Sequence, residues 1–404
     1  MARFKLGEQS ATLAYGALAI LLVALFIIYP SDTFQSSLAG LRLWWTLVFP
    51  ALLPFLILTE ILSGLGVLQA IGVLFRPFAR LFFGMPGSAG WVIATGLTAG
   101  YPAGAVLTAR ITAKGELAAK DAQRLLNLSH LCNPLVMVTV VGAGFLGSIK
   151  AGLFIALVHY LSAAVSSLIM RLVPTRTQSN IPLHETKGSE KRLNFFQVLE
   201  KSRKEDGRAF GKLLGDAVSK ANETLMALAG FIIIFSVLAK LSLILLLPSG
   251  ISNTVQNLLP GMLEPHLGGQ AAARLTLDFT TVCASIGAIL AWSGFSLHAQ
   301  VMGLIHRTGV RYGPFLAGRL LHASAAFFLS FVLANPLSQW LERAQMSFGR
   351  LSASPIANLT AASQLHRVWM SAGWTMGLFA AGLVLMLLLS GVAMCLKPFL
   401  KRSA

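Results

Sequence analysis

Apolar runs of membrane-crossing length alternate with short polar connections along most of the chain. Residues 11–29, 43–62, 151–173, 224–247, 312–333 and 369–396 are each long enough, at roughly 20 residues, for an α-helix to cross a hydrocarbon core. Three further segments are apolar but interrupted. Residues 91–111 contain Gly96, Gly100, Pro102 and Gly104; residues 135–146 are few and close on Gly142 and Gly144; residues 277–305 contain Asp278, Gly287, Ser293, Gly294, Ser296, His298 and Gln300. These segments predict broken or re-entrant helices, because non-helical backbone inside a membrane persists only where protein or a water-filled cavity satisfies it. Between residues 71 and 83, Arg76 and Arg80 punctuate an apolar helical period, which predicts a helix lying in the interface.

The first run follows Arg3 and Lys5, is of full spanning length and has no small-residue cleavage pattern before Pro30. It is therefore expected to remain as a helix within residues 1–40 rather than to be removed as a signal peptide. The one long polar stretch, residues 174–216, is rich in Lys and Arg, so the positive-inside rule makes it a cytoplasmic linker. It separates two halves, 41–173 and 217–335. Residues 336–404 are expected to form a loop and a last spanning helix, with Trp369, Lys397, Lys401 and Arg402 as interface anchors. The side on which that basic tail lies stays open: a re-entrant second interrupted segment leaves it outside, and a spanning one puts it inside.

Composition narrows the class. Of 404 residues 55% are hydrophobic and only 12% charged, against about 25% charged in soluble domains, so the chain is an all-α polytopic membrane protein. Its 32 Lys and Arg against 15 Asp and Glu give a formal net charge of +17. In this setting the excess belongs to cytoplasmic loops and anionic lipid rather than to nucleic acid. Cys132, Cys283 and Cys395 lie far apart in or beside apolar runs, which leaves neither a disulfide framework nor a metal pair. No cofactor and no enzymatic activity is expected.

The candidate chemistry sits in the interruptions. Gly96, Gly100 and Gly104 are four apart and share a helical face, as close helix packing requires. Within that run Pro102 lacks an N–H and disfavours helix at Tyr101, so the helix should break there and turn the N-terminal end of a half-helix inward, an anion site. Asn127, Ser129, His130 and Asn133 before Pro134 are either caps of a helix end or amides that hold a polar ligand. Ser293, Ser296, His298 and Gln300 offer hydroxyl, imidazole and amide groups in apolar sequence. Ser296 and His298, two apart, point to different helix faces, which argues for a polar lining rather than a hydrolase. Glu60, Glu264 and Asp278 are candidates for coupling to a proton or sodium ion, with Lys240 to balance a carboxylate. Each half offers an acid, a glycine one turn later and then a glycine-aromatic break in apolar sequence: Glu60-x-x-x-Gly64 and Gly100-Tyr101-Pro102 in one, Glu264-x-x-x-Gly268 and Gly294-Phe295-Ser296 in the other. Paired interruptions of this kind point to a transporter site between repeats.

Phe49-Pro50-Ala51-Leu52-Leu53-Pro54-Phe55 with Glu60, Thr98-Ala99-Gly100-Tyr101-Pro102-Ala103-Gly104-Ala105, Gln123-Arg124-Leu125-Leu126 and Ser293-Gly294-Phe295-Ser296-Leu297-His298-Ala299-Gln300 resemble the sporulation integral membrane protein YlbJ family. That resemblance covers about residues 43–333 and implies two Gate-like repeats, of inverted arrangement, related to nucleoside transporters. It further implies a protein of spore-forming bacteria that moves dipicolinic acid across the outer forespore membrane. The chain departs from the family where His130 and Leu131 stand in place of an expected Asn pair. The implied partners are a small anionic, dipicolinate-like solute and membrane lipid, with no nucleic acid; homo-oligomerisation is left open. The solute would meet Gly100, Tyr101, Pro102, Gly104, Asn127, Ser129, Asn133, Gly294, Ser296, His298 and Gln300. Transport of a nucleoside or another small anion, and a non-transporting scaffold of the spore envelope that recruits a partner through its basic loop, are the alternatives.

Overall fold

In a computed structural model the description covers residues 2–87, 89–172, 194–246, 250, 252–306 and 308–337. The expected last spanning segment with Trp369, Cys395 and the basic tail, and the first part of the polar linker, lie outside these residues. Among the described residues every regular element is a helix.

Helix α1 (Ala2–Ile28) stops at Tyr29, and Pro30 opens α2 (Pro30–Leu43) at a position where its missing N–H is harmless. A π-helical turn, Trp44–Val48, joins α2 to α3 (Phe49–Gly64), so that residues 30–64 form one continuous rod. The Trp44 indole N–H donates to Leu225 O at 3.0 Å and fixes this rod to a later span. Helix α4 (Val67–Phe83) was expected to lie on lipid, but its apolar side is buried against α5 (Ala89–Ala99). The physical reason is a glycine contact: Gly72 and Gly90 bring the two backbones together, and a Cβ on Gly90 would fall on Gly72 O.

After a break come α6 (Ala103–Ala113) and α7 (Ala119–Ser129), then a second break, a π-helical segment (Val136–Phe145) and the span α8 (Ile149–Leu172). Helix α9 (Phe195–Asp206) opens on a capping box between Asn194 and Gln197 and ends on left-handed Gly207. It is docked against Gly66, next to α4, through Leu199 and Ser202. The long span α10 (Phe210–Leu246) follows at once, so the last residues of the expected linker are already its first turns.

The remaining chain forms α11 (Asn253–Leu263), α12 (Pro265–Ala272), α13 (Phe279–Trp292), α14 (Gly294–Ile305) and α15 (Tyr312–Ala334). Among the described residues five helical stretches are long and apolar enough to cross a membrane: 30–64, α8, α10, α13 with α14, and α15. Their shared core runs from Trp44 and Val48 through Phe154 and Leu225 to Val282 and Ile286. The Tyr101-Pro102 break lies between α5 and α6, the Glu264-Pro265 break between α11 and α12, and the Gly294 break between α13 and α14. The two spaced acids also differ in role: Glu60 lies inside α3, whereas Glu264 is the N-cap of α12.

At the corner between α9 and α10, Arg208 Nη2 is 2.6 Å from Asp206 Oδ2 and Nη1 is 3.0 Å from Asp216 Oδ2. The side-chain hydrogen bond from Arg208 holds the Asp206 carboxyl below the usual carboxylate range. A carboxyl depressed in the folded state contributes stability that is present above its unfolded pKa and is lost as pH falls through its folded value. Amide exchange in α9, corrected for intrinsic rates, should therefore quicken as pH falls below the carboxylate range. In Asp206→Asn that pH dependence should vanish; if it persists, the corner owes it to another group.

Candidate functional site

A cavity of about 590 Å³ lies between α3, the α5–α6 break, α10, α12 and α14, within the size range of small-molecule sites. Its first wall is the break itself. Gly100 takes φ 73°, the Tyr101-Pro102 bond is cis, and α6 resumes at Ala103. Tyr101, Pro102, Ala103 and Val106 face the cavity, so the first turn of a helix, with amides that have no partner within the helix, forms part of its surface. Tyr101 is held there by its N–H, which donates to Leu131 O at 2.7 Å.

Asn133 supplies the neighbouring wall and joins two broken ends. Its Nδ2 donates to Ala99 O at 3.2 Å, beside the end of α5, and its Oδ1 accepts the Leu135 N–H at 2.7 Å, where the next helical segment starts. Leu297 and Gln300 of α14 and His266 of α12 belong to the same lining. Glu60, Thr59 and Ser63 of α3 close one side, and Lys220 and Glu223 of α10 another. Lys220 and Glu223 are exposed and pair with each other at 3.3 Å, which leaves Glu60 as the carboxylate of the lining without an ion-pair partner among the described residues.

Of the residues singled out in the sequence, Glu60, Tyr101, Pro102, Asn133 and Gln300 thus share one cavity. Others have structural work. Gly96 and Gly104 both pack on the backbone of Ser129, where a Cβ would collide, so the shared-face glycines do serve close packing. The Ser129 hydroxyl is 3.4 Å from Thr108 Oγ1. Asn127 donates to Pro314 O at 3.3 Å and packs under Gly318. Gly294, at φ 71°, lets the α13–α14 break sit on Leu263, Glu264 and Pro265. Because α14 starts at Gly294, Ser296 and His298 lie on regular helix, both buried. His298 donates through Nε2 to Trp292 O at 2.9 Å and accepts from the Tyr312 hydroxyl at Nδ1, also 2.9 Å, since a carbonyl can only accept. Asp278 is exposed and caps α13, accepting the Thr281 N–H at 2.9 Å and the Thr281 hydroxyl. Those hydrogen bonds keep its carboxyl below the ordinary range. Lys240, proposed to balance a carboxylate, is 3.3 Å from Asp32 of α2.

Sequence reasoning missed the polar centre behind the cavity. Arg319 of α15, fully buried, donates through Nη1 to His130 O at 2.6 Å and through Nη2 to Asn127 O. His322 contacts the same guanidinium at 3.3 Å and reaches His159 O at 3.0 Å. His159 accepts the Cys132 N–H at 3.0 Å, and His130 lies 3.3 Å from the Ser293 hydroxyl. The two interrupted regions, 130–135 and 293–294, are thereby joined. The signal was present, since Arg319 and His322 fall within an apolar run of spanning length.

Residues 45–149 match the Gate family, described as nucleoside recognition; they include Glu60, the α5–α6 break and Asn133. Over 361 residues the chain is 33% identical to the sporulation integral membrane protein YlbJ of Bacillus subtilis (strain 168), which covers 86% of this chain and 88% of that protein. No solved structure matches the chain.

Proposed function

The chain belongs to the family of the sporulation integral membrane protein YlbJ, and on that premise we propose that it is a transporter of the spore-forming cell. It carries a small planar aromatic carboxylate of the dipicolinate kind through the cavity between Tyr101 and Gln300, in the outer forespore membrane. The cavity at the broken helices carries this reading. Its lining combines an aromatic ring, two side-chain amides and the first turn of α6, a set suited to a planar solute with charged oxygen atoms. Glu60 would oppose an anion, so its carboxylate is neutralised by a proton or a sodium ion before solute binds.

A neutral nucleoside is the second reading. It is favoured by the same Glu60 carboxylate, which a solute without charge tolerates, and by the description of the Gate family. Proteoliposomes loaded with the full chain separate the two. Labelled dipicolinate should enter at least tenfold faster than labelled uridine, and Gln300→Leu should slow it by roughly tenfold, the loss of one buried hydrogen bond to a charged group. Preferential uridine uptake would replace the first reading with the second. Uptake of neither would leave a scaffold, and recovery of an altered solute would mean an enzyme.

A further inference from the structure

His266 is the second residue of α12 and is 3% exposed. Its Nδ1 lies 2.6 Å from Glu264 Oε1, while Glu264 Oε2 accepts the Leu267 N–H at 2.7 Å. Both oxygens of the carboxylate are therefore committed, one to the helix cap and one to the ring, and Glu264 is not a free ion carrier. An ionised carboxylate only accepts hydrogen bonds, so Nδ1 is the nitrogen that bears hydrogen in the neutral ring. That assigns the lone pair to Nε2. Among the described residues Nε2 has no hydrogen-bond partner, although it is buried. Buried polar atoms are ordinarily satisfied, and His266 lines the cavity whereas Glu264 does not. The ring thus lies at the cavity wall, with Nε2 as its one nitrogen without a hydrogen-bond partner among the described residues.

We infer that the Glu264–His266 pair is the solute-binding and proton-loading site of the transporter. This rests on the transport reading above and names how the carboxylate is held. A neutral imidazole offers a carboxylate nothing at Nε2, because each would present a lone pair. One proton taken from the aqueous phase onto Nε2 converts the ring into a charge-assisted donor to one carboxylate oxygen, with Glu264 fixing the ring through Nδ1. One proton is thus consumed for each solute bound and returned on release, and a dicarboxylate crosses with one of its two charges offset. A nucleoside N–H or O–H would instead donate to the neutral ring and take up no proton.

The charged and titratable groups around the pair are few. Glu60 of α3, Tyr101 and the paired Lys220 and Glu223 of α10 line the same cavity as His266. Helix α13 contributes buried Cys283 and, at its exposed end, Asp278. Helix α11 and the segment Val136–Phe145 have no ionisable side chain.

The test is calorimetric titration of the full-length protein in detergent with dipicolinate, at one pH, in two buffers of different ionisation enthalpy. The buffer dependence counts protons taken up on binding. The wild type should take up about one proton per solute. His266→Gln, whose amide keeps a neutral donor near the position of Nε2, should bind roughly tenfold more weakly and take up none. Unchanged proton uptake in that variant would move the site to Glu60 and overturn the inference. The wild-type count decides even if the variant does not fold: binding of dipicolinate without proton uptake removes this inference and leaves the transport reading standing. Absence of dipicolinate binding by folded wild type removes both.

Discussion

Replacing Arg319 by leucine should lower the melting temperature of the detergent-solubilised protein more than any substitution in the cavity wall. The guanidinium is fully buried, and among the described residues it has no ion pair with a carboxylate. It meets instead two carbonyls at the C-terminal end of α7, Asn127 O and His130 O, and the His322 ring. Those carbonyls are the ones an α-helix leaves unsatisfied, and they form the negative end of its dipole, where a cation is favoured. The charge and the helix end therefore compensate each other. Leucine fills part of the volume, beside the Phe315 ring that the guanidinium overlies at 5.6 Å, but orphans both acceptors. At about 1–3 kcal/mol for each unsatisfied buried group the loss is about 2–6 kcal/mol, against a total stability on the order of 5–15 kcal/mol. Lysine should recover only part of it, because an ammonium lacks the planar fork that reaches two carbonyls at once. Melting followed by size-exclusion chromatography checks the order wild type, Arg319→Lys, Arg319→Leu; a leucine variant as stable as wild type would sink the argument.

The second large effect is expected at Gly100. Alanine there meets two separate penalties. The φ of 73° costs an L-residue about 1–2 kcal/mol. Its Cβ would also lie 2.6 Å from the backbone N and 2.8 Å from the Cα of Asn133, and overpacking of this kind costs about 1–3 kcal/mol. Relief by movement is blocked, because Asn133 is tied on one side to Ala99 O and on the other to the Leu135 N–H. Gly303 of α14 is the control: a Cβ there meets nothing within 4 Å, so Gly303→Ala should be neutral or slightly stabilising, as usual for a helix. Gly100→Ala should yield little folded protein, and what folds should have lost solute uptake, since the cavity wall is the displaced break. A variant with wild-type melting and uptake would show that this break does not shape the site.

Much of the architecture was legible from local pattern. Apolar length located the spans at 43–62, 151–173, 224–247 and 312–333 because a segment in a membrane must satisfy its own backbone, a property readable one segment at a time. The Tyr101-Pro102 break followed for the same reason, from a missing N–H. Where the reading went astray, the deciding contact was remote in sequence. Helix α4 has the pattern of an interfacial helix, but Gly72 meeting Gly90 turns its apolar side into the core. Ser296 and His298 are placed in the regular helix α14, where His298 meets Trp292 and Tyr312, a placement their spacing alone did not show.

The sequence by itself determined that this is an all-α membrane protein, that four of the described helical stretches are long and apolar enough to cross, and that its helices break at Gly100 and Gly294. The tertiary structure alone decided which side chains share the cavity: Glu60, His266 and Gln300 come from three helices whose rotations about their axes are set by packing rather than by pattern, and Asn133 from a break between two others. It alone also decided the partner of Arg319. A buried charge compensated by another charge leaves two marks in a sequence, whereas one compensated by backbone carbonyls leaves a single mark, because every residue carries a carbonyl and only the fold shows which ones are left free.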